Sequence, residues 1–387
     1  MTARFGEVLV VIGGQSQAIM ALSGGGETVD TALASEPPAA RRLEALLAAM
    51  MPGVTVTVAG ASNQTAFSNT CLVTSYQGGP AFWNDAAGAF DSRGLALRDY
   101  IQARAGGGRL CVLVHWTHSQ DASTPAWSDF HYATQLAAFY DALHEGCAPL
   151  FGEFRILPVP VAARLTGDEP RVSAMRRIME ALGGGLPHAG ATARPFVLRA
   201  VHPGAYIPVG RYTGGADYLH VIRSTAWRIA AHVAIRIAGQ NGFVPPAIDQ
   251  PRLARAVRTG PDSIRVYIVS PDRLPIRAQG NLDFRLSAGK ITSIGAIENA
   301  AVAATGYATV DLAASGLAPG ARLRFAPEFG QFTGFLNGAT VPRGPVARAA
   351  FADPTPGLVL TDEAEDVLNP TPVLHVAPHE SGVTIEQ

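Results

Sequence analysis

EVLVVIGGQSQA, Glu7 to Ala18, is the stretch that decides the fold. An apolar run, Val8 to Ile12, stops on Gly13-Gly14, and Gln15-Ser16-Gln17 follow at once. A short continuous apolar run bounded by glycine reads as a strand buried on both faces, as in a parallel sheet. A strand that ends on glycines leaves its next polar side chains at the rim of the sheet. In open α/β sheets that rim is where ligands bind. Ser16 is therefore a candidate nucleophile. The plain alternative for one serine in this position is a loop or helix-capping residue.

Outward from this strand, helices and strands alternate. Ala39 to Met51 carries helix formers with Leu43, Leu46, Leu47 and Met50 on one face, and Pro52-Gly53 stops it. Val54 to Ala59 is β-branched and reads as a second strand. Gly60 to Asp91 is long and irregular, the kind of segment that carries function or packs as its own cap. Gly94 to Ala105 reads as a helix, Leu110 to His115 as the third strand, and Trp116 to Pro125 as a second polar loop at a strand end. Ser128 to Glu145 is a predicted helix with Phe130, Leu136, Phe139 and Leu143 on its apolar side. Phe154 to Val161 is extended, and its prolines place it at an edge or a bulge. Pro170 to Leu182 is a helix closed by Gly183 to Gly185, and Phe196 to Val201 is the last strand of this set. Leu219 to Ala238 is a helix with Ile222, Ala226, Ile229, Val233 and Ile237 on one face.

Such alternation predicts a parallel sheet covered by helices on both faces, over residues 1–245. Asn241 to Pro251 reads as a linker. Beyond it, short runs such as Ile264–Val269, Leu282–Leu286, Ile291–Ile297, Ala308–Leu312 and Arg322–Phe325 predict a smaller all-β sandwich over residues 246–387, with no clear element after Pro354.

Composition narrows the function classes. Hydrophobic residues make up 48% of the chain and the formal net charge is −1, so a large core is available. No basic run suggests nucleic acid. Lys290 is the only lysine, a bias that looks like GC-rich coding. Cys71, Cys111 and Cys147 fit neither a zinc motif nor a closed disulfide framework and read as buried free thiols. No histidine pair lies at metal spacing on one helix face, so no metal is expected, and a serine nucleophile such as Ser16 would need no organic cofactor. No stretch is apolar for long enough to span a bilayer. No signal peptide is recognised, because the first apolar run is short and flanked by Glu7, so synthesis in the cytoplasm is expected.

Gly214 to His220 (GGADYLH) supplies partners for a nucleophile. Asp217 and His220 are three apart at an expected loop-to-helix junction, a spacing that lets a carboxylate meet an imidazole within one turn. A histidine can take the serine proton, and a carboxylate fixes its tautomer. Seen alone, the pair also fits a capping Asp and a surface His. Tyr76, Trp83 and Trp116 lie in rim segments, either to stack on a sugar ring or to anchor loops. His115 reads as a core residue.

GGQSQA followed by GGADYLH before a long helix resembles the SGNH hydrolase superfamily, nearest to its sialate O-acetylesterase and acetylxylan-esterase branch (carbohydrate esterase family six). Gly14-Gln15-Ser16 matches the nucleophile block, and Asp217 with His220 matches the Asp-x-x-His block. Ser92 to Tyr100 (SRGLALRDY) is similar to the glycine-led helix, which makes Gly94 an oxyanion candidate. Trp116 to Ala122 (WTHSQDA) resembles the tryptophan–glutamine–glycine–glutamate–aspartate loop. The likeness covers roughly residues 7–240, and four positions depart from it. Gln17 replaces asparagine, His118 stands where the oxyanion glutamine is expected, Ser119 replaces glycine, and Gln120 replaces glutamate. One residue is also missing before Asp121.

The resemblance implies a flavodoxin-like three-layer fold and a serine esterase that removes O-acetyl groups from a polysaccharide or a sialic-acid-like sugar. Ser16, His220 and Asp217 would form its triad, with Gly94 and His118 at the oxyanion and Gln15, Gln17, Trp83 and Trp116 against substrate. The departures support a second expectation. The fold would then serve to bind a capsule-like glycan, as a surface or spike protein of a phage-like particle, alone or as a homo-oligomer.

Overall fold

The computed structural model describes residues 3–15, 18, 38–60, 71–77, 80–116, 121, 124–160, 169–185, 188–201, 209–212, 215–221, 223–243, 252–270, 276, 284–325, 346–349, 373–375 and 379–386. The chain divides into two compact units. Among the described residues, the first holds those up to Val201 and from Val209 to Phe243, and the second holds those from Arg252 onward.

In the first unit, β1 (Glu7–Gly14), α1 (Pro38–Met50) and β2 (Thr55–Gly60) open the fold. A small insert follows, made of β3 (Cys71–Val73), the single turn α2 (Thr74–Gln77), β4 (Ala81–Asn84) and β5 (Ala89–Phe90), which form their own three-stranded sheet. Next come α3 (Ser92–Gln102), β6 (Gly106–Trp116), α4 (Asp129–Cys147), β7 (Phe151–Val159) and α5 (Glu169–Leu182). The unit ends with the antiparallel pair β8 (Val209–Tyr212) and β9 (Gly215–Val221), then α6 (Arg223–Gln240).

The main sheet has the order β2-β1-β6-β7, and every pairing is parallel. β1 is central, and Val8 to Gln15 are all buried, as the unbroken apolar run predicts. From β1 the chain winds first to β2, then back past β1 to β6 and on to β7. Crossovers between parallel strands are right-handed, so a reversal of winding direction moves the helices to the other face. The helix contacts agree: α1 packs with α6, while α4 packs with both α3 and α5. The result is a three-layer α/β unit whose winding reverses between β1 and β6.

Local sequence explains the element ends. Ser128 caps α4 by accepting the His131 N–H on its hydroxyl at 3.3 Å. α5 closes on glycine: Gly184 has φ 93°, and the Gly185 N–H reaches back to the Glu180 carbonyl at 2.7 Å. Phe130 departs from its expected place. It is 63% exposed, and the buried face of α4 is Tyr132, Leu136, Phe139, Tyr140 and Leu143. Phe130 precedes Leu136 by six residues, which at about 100° per residue leaves it roughly 120° from that face.

Phe196 to Val201 makes only an isolated bridge to β7, through Ile156 and Val197. Ile156 both accepts from Leu198 N–H (2.7 Å) and donates to Phe196 carbonyl (3.0 Å), and the Pro158 carbonyl accepts from Val201 N–H at 3.0 Å. Pro158 has no N–H to return on that outer edge, so the ladder stops there. Its inner neighbours, Leu157 and Val159, stay in register with β6.

The opposite end of the unit is pinned at the foot of the strands. Asn241, fully buried just after α6, accepts the Phe5 N–H at 2.8 Å and donates to the Phe5 carbonyl at 3.1 Å. Arg4 pairs with Glu153 at 2.7 Å and also donates to the Gln240 carbonyl at 3.0 Å.

The second unit comprises β10 (Arg252–Gly260), β11 (Ser263–Val269), β12 (Phe284–Leu286), β13 (Lys290–Glu298), the turn α7 (Val302–Thr305), β14 (Tyr307–Ser315) and β15 (Arg322–Phe325). After these come the antiparallel pair β16 (Val346–Ala349) and β17 (Val373–His375), and finally β18 (His379–Glu386). Seven strands form one sheet in the order β12-β15-β18-β10-β11-β14-β13. The two outermost strands, β12 and β13, are joined by only Ser287–Gly289, so the sheet must roll until its edges approach. Ile264, Val266, Ile268, Val310, Leu312, Leu323 and Phe325 fill one core inside that roll. Expected strands from Ile264 to Phe325 appear close to their predicted bounds. Four were not anticipated: β10 and β16, and β17 and β18 in the tail where no element was expected.

Candidate functional site

Because the main sheet is parallel, the ends of its strands share one rim. Gly60 lies opposite Ile12, Gly14 opposite Trp116, and Trp116 opposite Val159. The winding reversal between β1 and β6 puts the topological switch point at Gly14 and Trp116, where a crevice opens in folds of this kind. Gly14 has φ +137°, and a Cβ there would stand 2.2 Å from the Trp116 carbonyl oxygen. Glycine is thus required for the chain to leave β1 toward Ser16 along this path. Gln15 follows, buried, and its carbonyl accepts the Ala18 N–H at 2.9 Å.

α3 begins at the same rim. Leu97 of α3 lies against Gly13, 3.5 Å from where a Cβ would stand, so α3 packs beside the end of β1. A Cβ on Gly94 would be 2.0 Å from the Phe82 carbonyl oxygen. That close approach of helix to β4 accounts for the glycine by itself.

The aromatic side chains of the rim act as anchors. Trp83 and Trp116 are buried, and Trp83 Nε1–H donates to Gln135 Oε1 at 2.9 Å while its ring meets Phe90 edge-on. Tyr76 is buried too, with its hydroxyl 3.1 Å from His131 Nδ1. His131 Nε2 in turn lies 3.2 Å from Asp85. Asp85 accepts Thr74 Oγ1–H and Ser75 N–H, and these bonds hold its carboxyl below the usual range although partial burial pushes the other way. Both rings are buried, so among the described residues neither Trp83 nor Trp116 presents an exposed face to a sugar ring. Gln15, also expected against substrate, is likewise buried.

Ser16, Gln17 and His118 lie outside the described residues. Asp217 and His220 are described through their backbone, which is a strand, β9, and not the start of a helix; α6 begins only at Arg223. The single-turn geometry expected for Asp217 and His220 does not apply, because three extended residues advance about 10 Å. The end of α6 at Gln240 and Asn241 is fastened to Arg4 and Phe5, at the foot of β1. An α-helix of this length spans roughly 27 Å, comparable to the height of the strands. β9, directly before its first turn, therefore belongs to the rim end of the unit.

Sequence reasoning missed two polar constructions. His115, one residue before the switch point, is buried with Nδ1 2.7 Å from the Tyr140 hydroxyl and Phe82 and Phe139 against its ring. Asp121 is fully buried, and its Oδ2 accepts the Leu72 N–H at 3.0 Å. Burial, opposed by the bonds from Leu72 and Cys71, leaves its carboxyl pushed up to about 8. The sequence hides the burial of Asp121, because a lone carboxylate flanked by polar loop residues is easily taken for solvated.

The three cysteines are free and buried, as expected, and burial raises all three thiols, Cys147 to about 12. Among the described residues no three potential metal ligands come together, and no helix is long and apolar enough to cross a membrane.

No family model matches the chain, and no curated protein does. Some solved structures are similar to it. One is a family two carbohydrate esterase from Clostridium thermocellum in complex with cellohexaose, with 14% identity over 63% of this chain and 67% of that one, TM-score 0.36. A putative arylesterase from Agrobacterium tumefaciens str. C58 has 14% identity over 61% of this chain and 99% of that one, TM-score 0.35. A carbohydrate esterase family 2 enzyme plus carbohydrate binding domain from Corynascus thermopiles (Myceliophthora fergusii) has 17% identity over 63% and 69%, TM-score 0.36. Scores this low mark a distant likeness of shape, so the function is read from the chain's own residues.

Proposed function

We propose that the chain is a serine esterase that removes O-acetyl groups from a carbohydrate. The observation that carries this is the Gly14-Gln15-Ser16 block at the end of the central parallel strand, where the winding of the sheet reverses and Gly14 takes a backbone path that only glycine tolerates. The start of α3 at the same rim, and the origin of α6 from that end, support it.

In this reading the Ser16 hydroxyl attacks the acetyl carbonyl while His220 takes its proton. Asp217 holds the imidazole, and the proton returns to the departing sugar oxygen. Water then hydrolyses the acetyl-enzyme by the same relay. The oxyanion is held by the Ser16 N–H, with Gly94 and His118 assisting, a contribution of a few kcal/mol per donor. Reaching this arrangement requires the segment that carries Asp217 and His220 to bring both to Ser16.

The test is acetate release from p-nitrophenyl acetate and from acetylated xylan by wild type and Ser16→Ala. Loss of a triad nucleophile is expected to lower kcat by about 10³-fold or more. Equal rates overturn the proposal. Binding to acetylated glycan with no acetate release from either protein would replace it with the glycan-binding reading.

A further inference from the structure

Asp121 follows β6, which ends at Trp116, by five residues. Among the described residues it sits in no charged network. Its Oδ2 holds the Leu72 N–H of β3, and the neighbouring Cys71 thiol also bonds it. Its Oδ1 is buried with no hydrogen-bond partner among the described residues, and the same is true of the Tyr132 hydroxyl. The titratable groups that face it are Cys71 from β3, Tyr76 from α2 and Tyr132 from α4, with Asp85 and His131 behind Tyr76. Among the described residues, no cation is one of the groups that act on Asp121.

A carboxylate here would bury a full charge with one oxygen bare among the described residues. Burying an unpaired charge costs far more than burying an unpaired neutral polar atom. The neutral acid keeps the Leu72 bond through Oδ2 and carries its proton on Oδ1. We infer that Asp121 works as an uncharged acid that latches the chain beyond β6 onto β3, and that loss of its proton to solvent at alkaline pH loosens the latch. This is a pH-sensitive fastening between the insert sheet and the end of the main sheet, and it does not depend on Ser16 being a nucleophile.

The sign follows from linkage. The carboxyl is raised when folded, so the folded protein holds a proton that the unfolded chain gives up. The stability it contributes is full below the unfolded carboxylate range and is lost as pH rises through about 8. Asp121→Asn keeps an acceptor for Leu72 and cannot ionise.

The experiment is thermal melting of wild type and Asp121→Asn from pH about 5 to about 9, together with infrared spectroscopy of both at neutral pH. The expected result is that the Asn variant's Tm rises relative to wild type by several degrees across that range. Wild type should also show the carbonyl stretch of a protonated carboxyl at neutral pH, missing from the variant. Should the variant fail to fold, the infrared band of wild type alone decides, through its disappearance at alkaline pH. Parallel melting curves, or no protonated-carboxyl band in wild type, overturn the inference. Neither readout uses esterase activity, so its failure and that of the esterase proposal are separate results.

Discussion

Gly14 lies directly opposite Trp116 across the central strand pair, and the space a Gly14 side chain would need is filled by the Trp116 carbonyl, 2.2 Å away. Backbone on one side and a positive φ on the other leave no room for any Cβ. Gly14→Ala is expected to destabilise the first unit by about 3 kcal/mol or more, from strain together with displaced backbone. Urea unfolding measures it. A loss below about 1 kcal/mol would mean that the switch point can relax.

Asn241→Ala tests the clamp at the foot of the strands. The substitution strips two bonds from the Phe5 backbone and leaves its N–H and carbonyl unsatisfied beside β1. About 2–3 kcal/mol of stability is expected to go, with the proposed esterase activity unchanged per folded molecule. Denaturant melts combined with active-fraction measurements check both parts.

Tyr140→Phe removes the hydroxyl 2.7 Å from His115 Nδ1. Both groups are buried, so the imidazole is left with an unmet ring nitrogen, at a cost of about 1–3 kcal/mol. His115→Phe together with Tyr140→Phe removes both polar groups. The double variant is expected to cost less than the sum of the two single ones, and a double-mutant cycle reads the coupling.

Trp83→Phe separates anchoring from substrate contact. Loss of the indole N–H leaves Gln135 Oε1 without that donor, so stability falls by about 1 kcal/mol. If Trp83 serves only as an anchor, KM for an acetylated sugar ester stays at the wild-type value. A rise in KM of about tenfold with unchanged stability would return Trp83 to the substrate side.

The sequence made β1 legible because its burial pattern and its apolar pattern are the same pattern. The helices were legible where a stripe ran for several turns. α6 was seen through Val233 and Ile237, but its start was misplaced because Leu219 continues that spacing while the backbone sets it in β9. β18 was hidden for a different reason. HESGVTIE has a glycine at φ +72° and charges at both ends, and only pairing on both sides makes it a strand. Asp121 and the His115–Tyr140 pair were illegible because their partners, β3 and α4, are distant in the chain. Burial of a polar residue is a property of the fold, and no local pattern records it.

β18 lies between β15 and β10, with Phe325 in register with His379 and Ala256 with Ile385. A sheet whose interior strand is made last cannot be completed in the order of synthesis. While β10 to β15 wait on the ribosome, β10 and β15 each show an open edge, and the roll around Leu323 and Ile264 has a gap in its wall. The parallel sheet of the first unit has no such debt, since its strands from β1 to β7 emerge in one continuous stretch. Folding of the two halves is therefore staggered in time. Closure of the long connection to β18 is the slow, non-local step, and the period before it is when the second half is most exposed to pairing with the wrong edge.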